Sequence, residues 1–93
     1  MASARARHIL VKDEKFCTEL KTKIEAGADF AQMAREHSNC PSGKGGGDLG
    51  RFTPGQMVRE FDEVVFSAAV GKVHGPVKTQ FGYHLIEITE RTP

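Results

Sequence analysis

Apolar positions recur along this chain with periods that change from segment to segment, and each change marks an element. Residues 6–12 end in Ile9-Leu10-Val11, too short and too β-branched a run for a good helix, and read as a strand with His8 at its start. From Asp13 the period becomes helical: Phe16, Leu20 and Ile24 recur four apart, lysines and glutamates fill the other faces, and Gly27 supplies a left-handed stop. Asp29 followed by Gln32 makes a capping box for a second helix, with a stripe of Phe30, Met33, Ala34 and His37 ending near Ser38. Residues 40–47, rich in glycine and interrupted by Pro41, read as a loop, and residues 48–52 as a short strand. After the Pro54-Gly55 turn, Val58, Phe61, Val64, Val65 and Ala68 predict a third helix closed by Gly71. Residues 75–79 and 83–91 predict two strands joined through Gln80-Phe81-Gly82, the last alternating Tyr83, Leu85 and Glu87 against His84, Ile86 and Ile88. This order predicts an α+β domain with a mixed or antiparallel sheet of about four strands packed against helices.

Composition narrows the function classes. A chain of 93 residues fits one compact domain, residues 1–93, with no room for a second. Thirteen Lys and Arg against twelve Asp and Glu, interspersed in sign, form neither a basic arm nor an acidic tail, so neither nucleic acid nor a membrane surface is an expected partner. The first residues, Met1-Ala2-Ser3-Ala4-Arg5, lack the apolar stretch of a signal peptide, and no apolar run has the length of a membrane span. A cytoplasmic monomer is the expectation. Cys17 and Cys40 are too few for a disulfide framework and are expected to be free thiols.

Several motifs invite a chemical reading that their context refuses. Gly45-Gly46-Gly47-Asp48-Leu49-Gly50 fits the spacing of a dinucleotide fingerprint, but that motif needs a strand before it and a helix after, and here the order is reversed. Gly43-Lys44 lacks both the upstream glycine and the downstream hydroxyl of a phosphate loop. The four histidines and two cysteines show no metal-ligand spacing beyond His37-x-x-Cys40, so no metal or other cofactor is expected. His37 reads as a half-buried ring on its helix and His74, beside Gly75-Pro76, as a turn histidine. His8 and His84 are different, because each opens an otherwise apolar strand, and a ring buried there needs a hydrogen-bond partner, for which the other histidine is a candidate. Cys40 as a nucleophile with a histidine base is open on spacing alone, although no local protease-type signature surrounds it.

These pieces stand in a recognisable series: His8-Ile9-Leu10-Val11, Ala28-Asp29-Phe30-Ala31, His37 to Lys44, Gly46-Gly47-Asp48-Leu49-Gly50, Gly55-Gln56-Met57, Phe61 to Phe66, and Gly75-Pro76-Val77 leading into Phe81-Gly82-Tyr83-His84. The series resembles the parvulin family of peptidyl-prolyl cis/trans isomerases, especially its small single-domain bacterial members, from His8 to about Ile88. The resemblance implies a four-stranded antiparallel sheet surrounded by helices, parvulin/FKBP-like, with the first strand beside the last and His8 beside His84. It implies that His8, Cys40, Thr79 and His84 form a polar catalytic network and that Leu49, Met57 and Phe61 build a proline pocket with Phe81 at its rim. Leu49, Met57 and Phe61 also read singly as ordinary core residues. The implied activity is rotation of the bond before proline in polypeptide substrates, assisting protein folding, with no cofactor. The family's phospho-directed branch carries a basic loop after the first strand; here Val11-Lys12-Asp13-Glu14-Lys15 is short and mixed in sign, so unphosphorylated substrates are expected. The rival reading is a non-catalytic chaperone or binding module for proline-containing segments on the same fold.

Overall fold

The structure, a computed structural model, describes residues 2–92. Strand β1 (Ser3–Val11) is followed by helices α1 (Glu14–Glu25) and α2 (Phe30–His37), a 3-10 turn (Pro41–Gly45), β2 (Asp48–Phe52), α3 (Arg59–Val65) and the hairpin of β3 (Val73–Thr79) and β4 (Gly82–Thr92). The strands form one antiparallel sheet in the order β2-β1-β4-β3, so the first and last strands are its central pair. Asp13 and Asp29 cap α1 and α2, each accepting the backbone N–H three residues on.

Side chains alternate across the two central strands, and the two faces of the sheet carry separate cores. Ile86 and Ile88 join Ala4, Ala6 and Phe52 under Phe61 and Val65 of α3. Leu85 joins Ile9 and Val11 on the opposite face, under Cys17 and Leu20 of α1 and Phe30 and Ala34 of α2. Where Arg5 and Arg7 emerge beside this second core, they pair with Asp48 and Glu87.

The elements depart from the sequence expectation at identifiable places. β1 starts at Ser3 and not at residue 6, because Ala4 and Ala6 are core positions whose small side chains conceal the alternation with Arg5 and Arg7. His8 therefore lies in the middle of its strand. His74 is a β3 residue, not a turn residue; its Nε2 lies 2.8 Å from the Ala69 carbonyl, to which it donates. The apolar period of α3 runs to Ala68, yet the helix ends at Val65, and the Arg91 guanidinium binds the Val65 and Ala68 carbonyls at 2.9 and 2.6 Å.

The glycine-rich segment, expected as plain loop, is a compact 3-10 turn that extends the β1 edge where β2 stops. The His8 N–H donates to the Gly47 carbonyl, the Asn39 N–H to the Leu10 carbonyl, and the Leu10 N–H to Ser38 Oγ. Gly47 must be glycine for two reasons. Its φ is +85°, and a Cβ would lie 2.3 Å from the His8 carbonyl oxygen.

Gly47→Ala is therefore expected to cost at least about 3 kcal/mol or to abolish folding, since strain and backbone overlap combine. Gly50→Ala, with φ +71° but open space around the added methyl, is expected to cost only about 1–2 kcal/mol. Denaturant titration of both variants checks this, and equal costs would show that close approach to His8 is not the constraint.

Candidate active site

The centre of the site follows from strand register. His84 lies opposite Leu10 of β1 and Val77 of β3, so His8 and Thr79, each two residues further along the neighbouring strand, are its diagonal neighbours on the same face. The two rings stack at 5.2 Å between centroids and 16° between planes, with Nδ1 of one 3.0 Å from Nδ1 of the other. Both histidines and Thr79 are buried. Phe61 sends its ring against both imidazoles nearly at right angles, at 5.6 and 5.8 Å.

Burial pushes the His8 imidazole down from its usual 6.5 to about 4, and the nearby His84 lowers it further as a smaller contribution. Burial also lowers His84, against an opposing pull from the Glu60 carboxylate. Both rings are neutral near pH 7, so each has one N–H and one lone pair.

That restriction gives the hydrogen bonds a direction. Ser42 donates its hydroxyl to Cys40 Sγ at 3.3 Å, so His8 Nε2, 3.1 Å from Ser42 Oγ, must be the donor to Ser42. His8 Nδ1 then accepts from His84 Nδ1–H. His84 Nε2 in turn accepts from the Thr79 hydroxyl at 2.7 Å, and Thr79 Oγ1 accepts the Phe81 N–H at 3.2 Å. The chain runs from the Phe81 amide to the Cys40 sulfur across three strands and the 3-10 turn.

Above this chain opens a cleft of about 370 Å³, lined by His8, Leu10, Cys40, Leu49, Met57, Phe61, Phe81 and His84 among others, and almost wholly apolar in its surface. The structure brings the predicted residues together: His8, Cys40, His84, Leu49, Met57, Phe61 and Phe81 all face it, and Thr79 stands behind His84. Phe61 is both core and wall, whereas Phe81 is 57% exposed at the rim. Ser42 is the member that sequence reasoning missed. Cys17 is apart from the site; burial, with a smaller push from Glu14, raises its thiol to about 11 and leaves it inert. Among the described residues no cluster of three or more histidines, cysteines or carboxylates is placed to hold a metal.

A family profile described as PPIC-type PPIASE domain matches residues 1–92. The foldase protein PrsA of Geobacillus sp. (strain WCH70) is 52% identical over 88 residues, covering 94% of this chain and 32% of that protein. Among solved structures, the peptidylprolyl isomerase PrsA of Bacillus anthracis superposes with a TM-score of 0.95 at 36% identity, covering 99% of this chain and 43% of that one. NmPin, the parvulin of Nitrosopumilus maritimus, superposes at 0.86 with 35% identity, covering 97% of this chain and 98% of its own. The chain spans about a third of the length of the curated relatives it matches.

The neutral histidines predict how stability depends on pH. A folded-state pKa near 4 for His8 lies below the 6.5 of the unfolded chain, so between these values the unfolded state binds the extra proton. The contribution is complete above about pH 7 and is lost as pH falls through 6.5 toward 4. Unfolding free energy is expected to drop by roughly 2 kcal/mol between pH 7 and pH 5, above most carboxylate titration. Denaturant titration at the two pH values measures it, and His8→Gln is expected to remove most of the difference. A flat profile in the parent would mean that the histidines are not buried neutral.

Proposed function

Because the chain belongs to the PPIC-type, or parvulin, family of peptidyl-prolyl isomerase domains, we propose that it is a peptidyl-prolyl cis/trans isomerase that turns the bond before proline in its cleft and acts on unphosphorylated polypeptides as an aid to folding. The observation that carries this reading is an apolar cleft with a neutral, fully hydrogen-bonded imidazole pair at its base.

The reaction asks little of a protein. Partial double-bond character sets a rotation barrier of about 18–20 kcal/mol, while the two isomers before proline differ by only about 0.5–1 kcal/mol. Twisting the amide breaks its conjugation, so a site accelerates the reaction by holding the ring while favouring the twisted state over both planar ones. In our reading Leu49, Met57 and Phe61 grip the pyrrolidine ring, and Phe81 covers the neighbouring residue at the rim. Cys40 stands beside the reacting amide as a polar neighbour. Its sulfur already accepts from Ser42, which leaves its S–H free to face a carbonyl in the cleft. His8, His84 and Thr79 hold this arrangement; none has to move a proton.

Chain geometry supports the preference for unphosphorylated substrates. Between Val11, the last residue of β1, and Glu14, the first of α1, stand only Lys12 and the capping Asp13, so there is no basic loop to receive a phosphate. We assign proline-containing polypeptides as the partners and a monomer as the working form, because Val70 and Phe81 are the only large apolar side chains exposed among the described residues. Two free thiols suit the reducing cytoplasm. Interspersed charge argues against a nucleic-acid or membrane surface, and no helix among the described residues is long and apolar enough to cross a membrane.

A protease-coupled isomerisation assay on a short proline peptide tests the reading. Met57→Ala is expected to lower catalytic efficiency about tenfold with little change in melting temperature, since Met57 is only half buried. No turnover by the parent chain would return the binding-module reading, and an unimpaired Met57→Ala would remove Met57 from the pocket.

The same assay addresses the residue before proline. A peptide with phosphoserine at that position is expected to be turned over no faster than one with an apolar residue there. A clear preference for phosphoserine would show that Lys12 and Lys15 act as an anion site.

A further inference from the structure

Met57 reaches the cleft from residues 53–58, which link β2 to α3 and have little regular structure of their own. One backbone hydrogen bond, from the Gln56 N–H to the Thr53 carbonyl, closes the turn, and Gln56 Oε1 accepts the Thr53 N–H and hydroxyl. All three bonds are internal to the turn, so they shape it without fixing its place on the domain.

Met57 and Val58 pack against the core beneath α3, and the polar tie to the body of the fold is Asp62. From the first turn of α3 its Oδ2 accepts the N–H of Gly55 at 2.5 Å, seven residues back along the chain. Gly55 has φ +94°, a conformation that other residues rarely adopt. Among the described residues this is the only side-chain hydrogen bond between the turn and another element. Asp62 follows Phe61, whose ring also lines the cleft, so the clamp links the turn carrying Met57 to the helix carrying Phe61.

A second observation sets Asp62 apart. Its Oδ1 is buried without a hydrogen-bond partner, the only such side-chain oxygen or nitrogen among the described residues. A buried carboxylate oxygen without a partner lowers stability, whereas the exposed Gly55 N–H would find water if released. A carboxylate in the first turn of α3 is favoured by the helix N-terminus, but the buried, unpartnered Oδ1 offsets that gain. What the other oxygen adds is a fixed position for the turn that carries Met57.

We propose that Asp62 is a positioning residue for the isomerase pocket, holding the Thr53–Met57 turn against α3 so that Met57 faces the proline ring. The proposal rests on the assignment of Met57 to that pocket. Met57 grips the ring in planar and twisted states alike, so loosening it weakens binding more than it slows the bound substrate.

The test compares Asp62→Ala, Asp62→Asn and Met57→Ala with the parent, using exchange kinetics on a proline peptide to separate KM from kcat. Asp62→Ala is expected to raise KM about fivefold with kcat within about twofold and with little change in melting temperature, since the lost helix-terminus and Gly55 interactions are offset by removal of the unpartnered oxygen. Asp62→Asn keeps an acceptor for Gly55 and is expected to restore KM toward the parent's value. In a Met57→Ala background Asp62→Ala is expected to add nothing further. Asp62→Ser, too short to reach Gly55, serves as the clamp-free variant should the alanine chain not fold. An unchanged KM on losing the clamp, a fall in stability that accounts for the whole loss of activity, or additivity with Met57→Ala would each overturn the proposal. If Met57→Ala itself leaves the parent's activity intact, the pocket assignment fails and the clamp with it; if it impairs activity and the clamp variants do not, the clamp alone fails.

Discussion

Two neutral imidazoles that share one proton inside an apolar core constrain the rest of this structure. Each ring has one donor and one acceptor, both buried, and a buried polar atom without a partner costs about 1–3 kcal/mol. Once the Nδ1 atoms face each other at 3.0 Å, the remaining nitrogens must find partners of opposite kind, one hydroxyl that accepts and one that donates. Ser42 and Thr79 are those hydroxyls. The strand order follows from the same demand, because only a central β4 flanked by β1 and β3 can give His84 both His8 and Thr79. Gly47 then becomes a constraint at one remove: the segment carrying Ser42 and Cys40 must press its backbone against that of His8, and only glycine leaves the space.

Two kinds of signal in the chain reported the architecture. The apolar stripes of α1 and α2 and the alternation of β4 were visible as periodicity, since large apolar side chains recur there: Leu20, Phe30, Leu85, Ile86 and Ile88 buried, Phe16, Ile24 and Met33 partly so. Where burial fell on small residues the signal vanished, and the first half of β1 is the example: Ala4 and Ala6 are core positions flanked by arginines. Pairing was legible only through the motif series, because register is a property of two strands and periodicity of one. Ser42 was hidden for another reason. Ser38-Asn39-Cys40-Pro41-Ser42 offers two serines, and the first binds the Leu10 and Cys40 amides while the second binds His8. The 3-10 turn starting at Pro41 makes that division, and glycine-rich composition suggested only a loop.

Phe61 shows why core and pocket are poor alternatives in a domain this small. It is 3% exposed and packs against Phe52 and Val65, yet its ring also touches both histidines and lines the cleft. Truncating a buried phenylalanine costs about 3–5 kcal/mol, so lost activity in such a variant would say little about its grip on a ring. Met57, partly exposed and carried on a turn, and Asp62, partly exposed on α3, let function change without the fold. The pocket thus combines Phe61, which the core holds in place, with Met57, which only partly packs against that core and gains a separate restraint from Asp62.

The direction of the hydrogen-bond chain also bears on whether Cys40 attacks its substrate. A thiol nucleophile needs a base, and the one linked to Cys40 by hydrogen bonds is His8, through Ser42. In the arrangement found here His8 Nε2 donates to Ser42, so no lone pair faces the thiol. Reversing the chain would expose one, but Thr79 Oγ1 would then accept from both His84 and Phe81, leaving its own proton to find a new partner. The transferred proton would also rest on an imidazole whose pKa burial has lowered to about 4, too weak a base to hold it at neutral pH. Amide rotation has no such requirement, because no proton changes hands between the planar and twisted states. An apolar site with neutral histidines is therefore poorly suited to covalent catalysis and well suited to holding a ring while a bond turns.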